Sequence, residues 1–412
     1  MKITQRFPAG GEVEVADLLA AVAEEPDGGP LRFGDERIVD FLVAFARKLL
    51  APTTARRFPE LASLGFFLRR GEIAKALAGA ATDDSTLRFP RGLVFHVPPA
   101  NVDTIFVYSW ALSALAGNRN VVRISPRSAG AAQTVIEALN EALADAHPAV
   151  ARTQRMVTYD RDDATTAALS AGCDLRVVWG GDRAVTEVRK HPLAPHSRDL
   201  TFPDRASFAA ISVAAWQAGD RRWRRDTAIG FYNDSYWFDQ AACASPRTVF
   251  WVGDPAAAAV AREEFVAELS AVVVEKAFVT EPAMAVQKRV SAYGVAADGL
   301  VHSIRFAGNA VATLELTRPS DVPREWLGAG TFPMATIASL ADLVPVIERK
   351  DQTLSCAGFD RAELVELAHA LAGRGIDRIV GFGSALTFAG TWDGYDLVRE
   401  FSRLVTVPTT VS

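Results

Sequence analysis

The sequence has few of the features that mark secreted, membrane-spanning or zinc-binding proteins. Its 412 residues include three cysteines, at positions 173, 243 and 356, and none belongs to a C-x-x-C pair. Neither a disulfide framework nor a structural metal site is therefore expected, and we predict three free thiols. No window approaches the ~18 apolar residues of a membrane span, and the segment MKITQRFPAGGEVEV lacks the apolar core of a secretory signal. These absences predict a cytoplasmic protein without a membrane span.

A strong charge imbalance is also missing. The formal net charge is -5 at pH 7, which gives no electrostatic reason to expect a nucleic-acid partner. The G-x-G-x-x-G fingerprint is absent from the whole chain, so that motif assigns no dinucleotide site. One local basic cluster lies in a helix-like stretch, and we interpret it as a solvated face: Arg221, Arg222, Arg224 and Arg225.

The chain does contain the composition and the periodicity of a large α/β protein. Hydrophobic residues make up 49% and charged residues 23%, as in globular proteins, and the length favours two lobes. Helical spacing over residues 12–25, 35–50 and 58–81 predicts a helical preface. From Leu93 the runs LVFHV, NVVRI, RMVTY and LRVVW alternate with helical patterns, which predicts a doubly wound parallel sheet. A second α/β lobe follows from about residue 205.

Three turns of the predicted sheet carry candidate ligand-binding residues, because such sheets bind ligands where strands end and helices begin. The turn PPAN follows LVFHV and supplies Asn101. The turn SPRS follows NVVRI and brings Arg123 and Ser125 to the strand end. In GGDRAV, Gly180 and Gly181 allow close approach of a ligand to the backbone beside a helix N-terminus. From the residues alone, this last turn is either a nucleotide site or an ordinary tight turn.

A candidate nucleophile lies in the segment FDQAACASPRTVFWV, residues 238–252. Cys243 is flanked by small residues where a turn is expected, and an apolar strand-like run follows it. A thiolate is a strong nucleophile, and its attack on a thioester gives an acyl-enzyme thioester. The alternative is a buried structural cysteine, which is the interpretation we keep for Cys173 and Cys356.

These segments resemble those of a known family. Residues 97–126, VPPANVDTIFVYSWALSALAGNRNVVRISP, are similar to the cofactor-lobe segment of the aldehyde dehydrogenase superfamily. The pieces VVWGGD, DQAACASP and RIVGFGSALTFAGTWDGYDL resemble the LuxC-like branch of fatty acyl-CoA reductases. The resemblance implies an aldehyde-dehydrogenase-like α/β fold of two lobes, one of them Rossmann-like, with a helical N-terminal segment.

The resemblance also implies how the chain is divided. Residues 1–205 would form the helical preface and the cofactor-binding lobe, and residues 206–375 the catalytic lobe that carries the cysteine. Residues 376–412 would return to the cofactor lobe and make oligomer contacts. In the superfamily the segment that matches residues 405–407 commonly exchanges sheet contacts between subunits, which implies a homodimer or a larger homo-oligomer.

Roles for the residues near the cysteine follow from the same resemblance. Cys243 matches the family's nucleophile, which carries the acyl group. Asn101 matches the asparagine that binds the oxyanion together with the backbone N–H of Cys243, although a helix N-cap is the alternative for Asn101. Asp239 and Gln240 are candidates for positioning the nucleophile, and Gln240 is also a candidate substrate contact.

The cofactor residues correspond less closely to the superfamily. Arg123 replaces a lysine near the adenosine ribose, and its planar guanidinium suits a phosphate, so the resemblance favours NADPH, with NADH as the alternative. Ser125 starts the following helix, and Gly180 and Gly181 match a turn that meets the pyrophosphate. The glutamate that holds the nicotinamide ribose in the superfamily has no counterpart in GTFPMATI, residues 330–337.

A threonine distinguishes this chain from the oxidising enzymes of the superfamily. Thr201, in LTFPDR, stands where they carry the glutamate that activates water. Without that base, hydrolysis of the acyl-enzyme should be slow, which favours reduction. Asp204 is a candidate substitute base. His96 is a candidate proton donor, although a core histidine is the simpler interpretation.

The predicted function is NADPH-dependent reduction of an acyl thioester, on coenzyme A or a carrier protein, to the aldehyde. Two alternatives remain. One is an aldehyde dehydrogenase working in the oxidising direction, against which Thr201 argues. The other is a catalytically idle scaffold or thioester-binding partner, against which Cys243 and Asn101 argue.

Overall fold

The chain folds into two compact units, one of which is discontinuous in sequence. Unit 1 comprises Met1–Pro203 and the C-terminal stretch that starts at Phe388, and unit 2 comprises Asp204–Thr387. Residues 376–387 therefore belong to unit 2. The computed structural model describes residues 1–80, 85–99, 105–126 and 130–407.

Unit 1 alternates strands and helices after a mainly helical start. Its strands up to Pro203 are β1 (Lys2–Phe7), β2 (Gly11–Glu14), β3 (Thr86–Pro90), β4 (Leu93–Val97), β5 (Arg119–Ile124), β6 (Gln154–Thr158), β7 (Leu175–Trp179) and β8 (Arg198–Phe202). Its helices are α1 (Val15–Ala23), α2 (Glu36–Leu49), α3 (Pro52–Arg57), α4 (Pro59–Phe67), α5 (Arg70–Gly79), α6 (Ile105–Leu115), α7 (Ala131–Leu143), α8 (Pro148–Thr153), α9 (Asp163–Ala171) and α10 (Asp182–Arg189).

A seven-stranded sheet of order β2-β1-β6-β5-β4-β7-β8 forms the centre of unit 1. From β6 to β8 all neighbours are parallel, which confirms the predicted doubly wound sheet. β1 adds an antiparallel edge to β6 that the sequence analysis did not indicate. The reason is that β1 buries only Ile3 and Phe7, too few apolar residues for a clear strand pattern.

Helix α6 is buried along its whole length. It is apolar on all sides, as expected of a helix inside a core. Its Trp110 donates a hydrogen bond to Gln154 Oε1 at 2.8 Å, so the indole N–H is satisfied without water. This packing fixes α6 against β4 and β5.

Unit 2 is built on a second sheet. Its strands are β9 (Ala206–Ser212), β10 (Pro246–Val252), β11 (Val301–Ala307), β12 (Val311–Leu316), β13 (Thr331–Ile337), β14 (Asp351–Ala357) and β15 (Arg378–Gly381). Its helices are α11 (Val213–Ala218), α12 (Arg221–Tyr236), α13 (Pro255–Glu275), α14 (Pro282–Ala297) and α15 (Arg361–Leu371), with 3₁₀ turns at Trp237–Gln240 and Leu340–Leu343.

The second sheet has the order β11-β12-β13-β10-β9-β14-β15 and is parallel except for the β11–β12 pair. Successive residues of β10 belong to different apolar clusters, Phe250 to one and Val249 and Trp251 to the other. Both faces are therefore covered, as is usual for parallel sheets. Helix α13 is 21 residues long, yet no helix in the described part of the chain is long and apolar enough to cross a membrane.

The C-terminal stretch completes unit 1 with β16 (Thr391–Trp392), β17 (Tyr395–Asp396), α16 (Leu397–Glu400) and β18 (Ser402–Thr406). β18 pairs antiparallel with β3, so the two strands form a ribbon apart from the main sheet. On and directly after this β3–β18 ribbon, large apolar side chains are exposed to solvent: Leu87, Phe89, Leu404, Val405 and Val407.

Candidate functional site

Cys243 lies immediately before β10, in a segment that we call the cysteine turn, residues 237–245. Cys243 is half-buried, whereas Cys173 and Cys356 are buried. Burial raises the pKa of Cys173 to about 12 and that of Cys356 to about 11. Both of these stay protonated near neutral pH, so Cys243 is the cysteine best suited to act as a nucleophile.

The backbone of the cysteine turn is strained. Phe238, Asp239 and Gln240 adopt left-handed φ angles of 54°, 51° and 61° in succession. This conformation costs roughly 1–2 kcal/mol for each residue that has a β-carbon. Strain of this kind persists only where surrounding contacts fix it, and it is concentrated at functional sites.

The side chain of Gln240 supplies such contacts. Its Nε2 donates to the carbonyl oxygens of Pro246 and Thr331, at 2.9 and 3.3 Å. Its Oε1 accepts from the backbone N–H groups of Gly330 and Thr331, at 2.9 and 3.2 Å. The amide is buried and uses its full hydrogen-bonding capacity. These contacts support a positioning role for Gln240, and its predicted contact with substrate stays a prediction.

Two further polar side chains reach Cys243 from the sheet. Gln352, on β14, is 2% exposed, and its Nε2 donates to Cys243 Sγ at 3.5 Å. Ser207, on β9, donates from Oγ to the carbonyl oxygen of Cys243 at 2.6 Å and accepts from the N–H of Thr353 at 3.2 Å. Gln352 was not predicted from the sequence. It lies in DQTLSCA, where Asp351, Thr353 and Ser355 are polar as well, so no local pattern distinguishes it.

A half-buried cation, Arg247, adds to the electrostatics of the thiol. Burial lowers the pKa of the Arg247 guanidinium, and the charge of a Cys243 thiolate opposes that shift. Asp204 and Glu325 act in the same direction as the thiolate. Arg247 Nη1 donates to the carbonyl oxygen of Arg324 at 2.6 Å, while its buried Nε has no hydrogen-bond partner in the described structure. The guanidinium therefore favours negative charge at the sulfur.

The predicted cofactor residues line one cavity of unit 1. This cofactor cavity has a volume of about 690 Å³ and lies where β4, β5 and β7 end. Arg123, Ser125, Gly180 and Gly181 all contribute to its wall. Gly181 is the N-cap of α10, so the positive end of that helix dipole adjoins the cavity. This arrangement suits the phosphates of a dinucleotide.

Arg123 is held in the cavity wall without a complete set of partners. Its guanidinium carbon lies 4.8 Å from the centre of the Tyr159 ring, and its buried Nε has no hydrogen-bond partner among the described residues. At Gly180 an added β-carbon would lie 3.2 Å from the Ala184 side chain, so a larger residue would crowd the turn. The cavity also contains acidic side chains, which suit ribose hydroxyls: Asp160, Asp162, Asp163 and Glu187.

The remaining predicted site residues are Asn101, Thr201 and His96. Asn101 lies outside the described residues. Thr201, on β8, accepts a hydrogen bond from Arg189 Nη2 at 3.2 Å. His96 is fully buried on β4, and its ring nitrogens bond to Ser109 Oγ and Asn120 Oδ1, each at 2.9 Å. Burial lowers the pKa of His96 to about 4, so it is a neutral core histidine and not a proton donor.

Comparison with known proteins gives the family. A family model described as acyl-CoA reductase (LuxC) matches residues 79–292. The chain belongs to the LuxC family. The long-chain acyl-protein thioester reductase of Photorhabdus luminescens is 25% identical to this LuxC-family chain over 340 residues, which cover 79% of the chain and 65% of that protein. The enzyme of the same name from Aliivibrio fischeri is 25% identical over 166 residues, 40% of this chain and 33% of that protein. The chain thus spans less than two thirds of the length of both relatives.

Solved structures confirm the predicted fold class. The NAD-dependent aldehyde dehydrogenase of Sinorhizobium meliloti aligns with a TM-score of 0.69 and 15% identity, over 97% of this chain and 88% of that one. The Mycobacterium tuberculosis aldehyde dehydrogenase complexed with NAD+ gives a TM-score of 0.65 and 15% identity, over 100% and 95%. The LuxC-family chain therefore has an aldehyde-dehydrogenase-like fold.

Proposed function

We propose that this chain reduces an acyl thioester to the aldehyde through an S-acyl intermediate on Cys243, with NADPH as the reductant. The observation that carries this proposal is the environment of Cys243. It is the half-buried cysteine of the chain, its sulfur accepts from a buried amide, and it interacts electrostatically with the half-buried guanidinium of Arg247. The relatives named long-chain acyl-protein thioester reductases support the same reaction class.

The first half-reaction transfers the acyl group to the protein. The Cys243 thiolate attacks the thioester carbonyl, the new S–C bond forms, and the donor thiol leaves as its thiolate, which takes a proton. The Gln352 amide orients the sulfur and stabilises its charge before attack. The backbone N–H of Cys243 and the amide of Asn101 would bind the oxyanion of the tetrahedral intermediate.

The second half-reaction releases the aldehyde. When bound, a nicotinamide would supply a hydride to the S-acyl carbonyl on Cys243, which would become a tetrahedral thiohemiacetal. Collapse of this adduct breaks the C–S bond, releases the aldehyde and restores the Cys243 thiolate. Arg247 favours the returning negative charge on sulfur, which makes the thiolate a better leaving group. Overall, one hydride and one proton convert the thioester into an aldehyde and a free thiol.

The choice of NADPH rests on Arg123. Its planar guanidinium can form paired hydrogen bonds with a phosphate, and its buried Nε is unpartnered among the described residues. The acidic side chains of the same cavity favour ribose hydroxyls and hence NADH. The Mycobacterium tuberculosis structure is complexed with NAD+, so NADH is the alternative reductant.

The direction of the reaction rests on Thr201. A threonine hydroxyl is not a general base at neutral pH, so water attack on the S-acyl group would be slow. Asp204 is exposed and interacts electrostatically with Arg247, which gives the oxidising alternative a specific candidate base. Aldehyde oxidation is therefore the second candidate function.

A single assay separates these possibilities. Purified chain given NADPH and a panel of acyl-CoAs should lose nicotinamide absorbance and release free thiol, and Cys243→Ala should abolish both. Cys356→Ser is the matched control, because that thiol is buried. Mass spectrometry without reductant should find an acyl adduct on Cys243. Oxidation of aldehydes without a thiol acceptor would overturn the reductase proposal, whereas no turnover and no adduct would favour an idle scaffold.

We also propose that the chain self-associates through the β3–β18 ribbon. Leu87 and Val405 are cross-strand partners on one face of this ribbon and are 48% and 40% exposed, and exposed apolar patches on a sheet edge are typical of interfaces. Light scattering of the wild type should give at least a dimer, and Leu87→Asp should give a monomer. A monomeric wild type would contradict this proposal.

A further inference from the structure

Unit 1 contains a second cavity, of about 550 Å³, at the opposite edge of its sheet from the cofactor cavity. Arg91 and Asp174 directly precede β4 and β7, and Arg198 begins β8. β4, β7 and β8 are parallel, so these residues lie at their amino ends, whereas the cofactor cavity lies at the carboxyl ends. A five-residue strand is about 16 Å long, and the two cavities have none of their described lining residues in common. A ligand here would thus be separate from the dinucleotide.

The second cavity is strongly cationic, and we call it the arginine cavity. Among the described residues, five arginines and one histidine line it, against a single aspartate: Arg88, Arg91, Arg198, Arg399, Arg403, His196 and Asp174. Asp174 Oδ2 accepts from the N–H of Leu93 at 2.7 Å, and Asp174 Oδ1 lies 3.5 Å from His196 Nε2. Its charge is therefore engaged by the sheet and by the histidine.

The inner arginines are held in place by backbone and hydroxyl groups. Arg88 Nε donates to the carbonyl oxygen of Ala80 at 2.9 Å, and its Nη1 donates to Ser402 Oγ. Arg91 Nε donates to the carbonyl oxygen of Glu400. These neutral partners fix the guanidinium groups without cancelling their charge. Such preorganised guanidinium groups suit paired hydrogen bonds with phosphate oxygens.

The outer arginines have even fewer partners. The side chains of Arg198 and Arg403 are exposed, and neither has an ion pair or a hydrogen bond with a described residue. Arg399 is paired with Asp396 at 2.9 Å, and Arg91 lies 4.0 Å from Glu400. With Asp174, these make three carboxylates against five arginines among the described residues, so this part of the cavity keeps a positive excess.

The arginines of this cavity also repel one another. Burial lowers the pKa of Arg91, and the charges of Arg198 and Arg403 lower it further, with Glu400 opposing. Burial likewise lowers the pKa of Arg88, and Arg399 adds to that shift. Like charges at short range raise the free energy of the folded state unless a counter-charge is present. A bound polyanion would remove this repulsion.

We propose that the arginine cavity binds a phosphate-bearing anion of at least two negative charges. Guanidinium groups around an open, polar cavity would recognise the anion, and the volume of the cavity exceeds that of a pyrophosphate. Two sources share this chemistry: the phosphates of a coenzyme A thioester, and a separate phosphate or pyrophosphate. Only the coenzyme A source rests on the proposed reductase function, because it would come with the acyl donor.

Calorimetric titration of the full chain with inorganic pyrophosphate tests the site. The wild type should bind, and Arg198→Ala and Arg399→Ala, both outside the β3–β18 ribbon, should each weaken binding about tenfold, the effect of losing one charge-assisted contact. Arg56→Ala is the matched control, because Arg56 is exposed on α3 and lines neither cavity. Arg123→Ala, in the cofactor cavity, should also leave this binding unchanged.

Competition experiments distinguish the two sources. Displacement of pyrophosphate by coenzyme A but not by pantetheine, which lacks the phosphates, would identify the acyl donor as the source. Pyrophosphate binding that coenzyme A does not displace would identify a separate anion. The proposal is overturned if pyrophosphate does not bind at millimolar concentration, or if only Arg123→Ala weakens it. None of these readouts depends on turnover, so a failure here is distinct from a failure of the reductase proposal.

Discussion

The cofactor cavity and the cysteine turn hold their functional groups in different ways. In the cavity, Arg123, Gly180 and Gly181 lie at or next to the ends of regular strands, and each is held mainly by its own strand or helix. In the cysteine turn, three left-handed residues are fixed by amide groups that bond to strands far away in sequence. A substitution in the cofactor cavity should therefore affect only its own contacts. A substitution in the cysteine turn should instead disturb the backbone of the whole turn.

The largest effect is expected at Gln240. Gln240→Ala removes four hydrogen bonds, and the N–H of Gly330 and the carbonyl oxygens of Pro246 and Thr331 lose this partner, whereas the N–H of Thr331 keeps a bond to the carbonyl oxygen of Gly328. We expect a loss of about 3 kcal/mol in the free energy of unfolding, because each buried unpaired group costs ~1–3 kcal/mol. Urea denaturation measures this loss. Gln217→Ala, at an exposed glutamine of unit 2, should have almost no effect, and equal losses in the two variants would contradict the proposed role.

Gln352 should affect chemistry more than stability. Gln352→Leu removes the donor to Cys243 Sγ but keeps the side-chain volume. We expect kcat to fall about 10²-fold, the size of effect seen when one preorganised donor is lost, and alkylation of Cys243 by iodoacetamide to slow as well. A variant with normal alkylation and normal kcat would show that the contact is structural. Gln352→Glu tests the effect of a negative charge beside Cys243 Sγ, since a carboxylate there should repel the thiolate.

His96, on β4 of unit 1, provides a test of how stability depends on pH. An unfolded histidine titrates near pH 6.5, whereas burial lowers the pKa of native His96 to about 4. Between these values the unfolded chain binds the extra proton, so the stability contributed by His96 is complete above pH 6.5 and is lost as the pH falls towards 4. At pH 5 the loss should be about 2 kcal/mol. His96→Gln should be less sensitive to the change from pH 7 to pH 5 in urea denaturation, and equal pH sensitivity would contradict this account.

The smallest effect is expected at Arg123. Arg123→Ala should weaken NADPH binding about tenfold, as expected for one charge-assisted contact, and leave NADH binding nearly unchanged. Fluorescence titration with both cofactors measures the ratio of dissociation constants. Arg56→Ala is again the control for loss of an exposed cation. Equal weakening of both cofactors would place Arg123 at a group that the two share and would remove the argument for NADPH.

The same contrast explains how much the sequence could predict. The parallel sheet of unit 1 and the cavity residues follow from periodicity and from the turns after each strand, because both are local properties of the chain. Cys243 could be singled out as a candidate because a small-residue turn before an apolar run is also local, and its role stays a prediction. The strand β1 was missed because it buries only two apolar side chains.

The contacts around the thiol could not be predicted in this way. Gln352 follows Cys243 by more than a hundred residues, and only the pairing of β9 with both β10 and β14 brings the two strands close. Likewise, three successive left-handed residues have no sequence signature when none of them is glycine. Their conformation depends on hydrogen bonds from β13, which only the folded sheet supplies.

The Ser207 hydroxyl has a consequence for how the protein loses activity. It joins the carbonyl of Cys243 to the amide of Thr353, in the middle of the sheet of unit 2. Cys243, the proposed nucleophile, is thereby part of the same cooperative folding unit as the central strands. Loss of the proposed activity on heating should then coincide with the melting of that sheet and not precede it, because the chain would have no partly folded state in which the sheet is intact and the cysteine turn is lost.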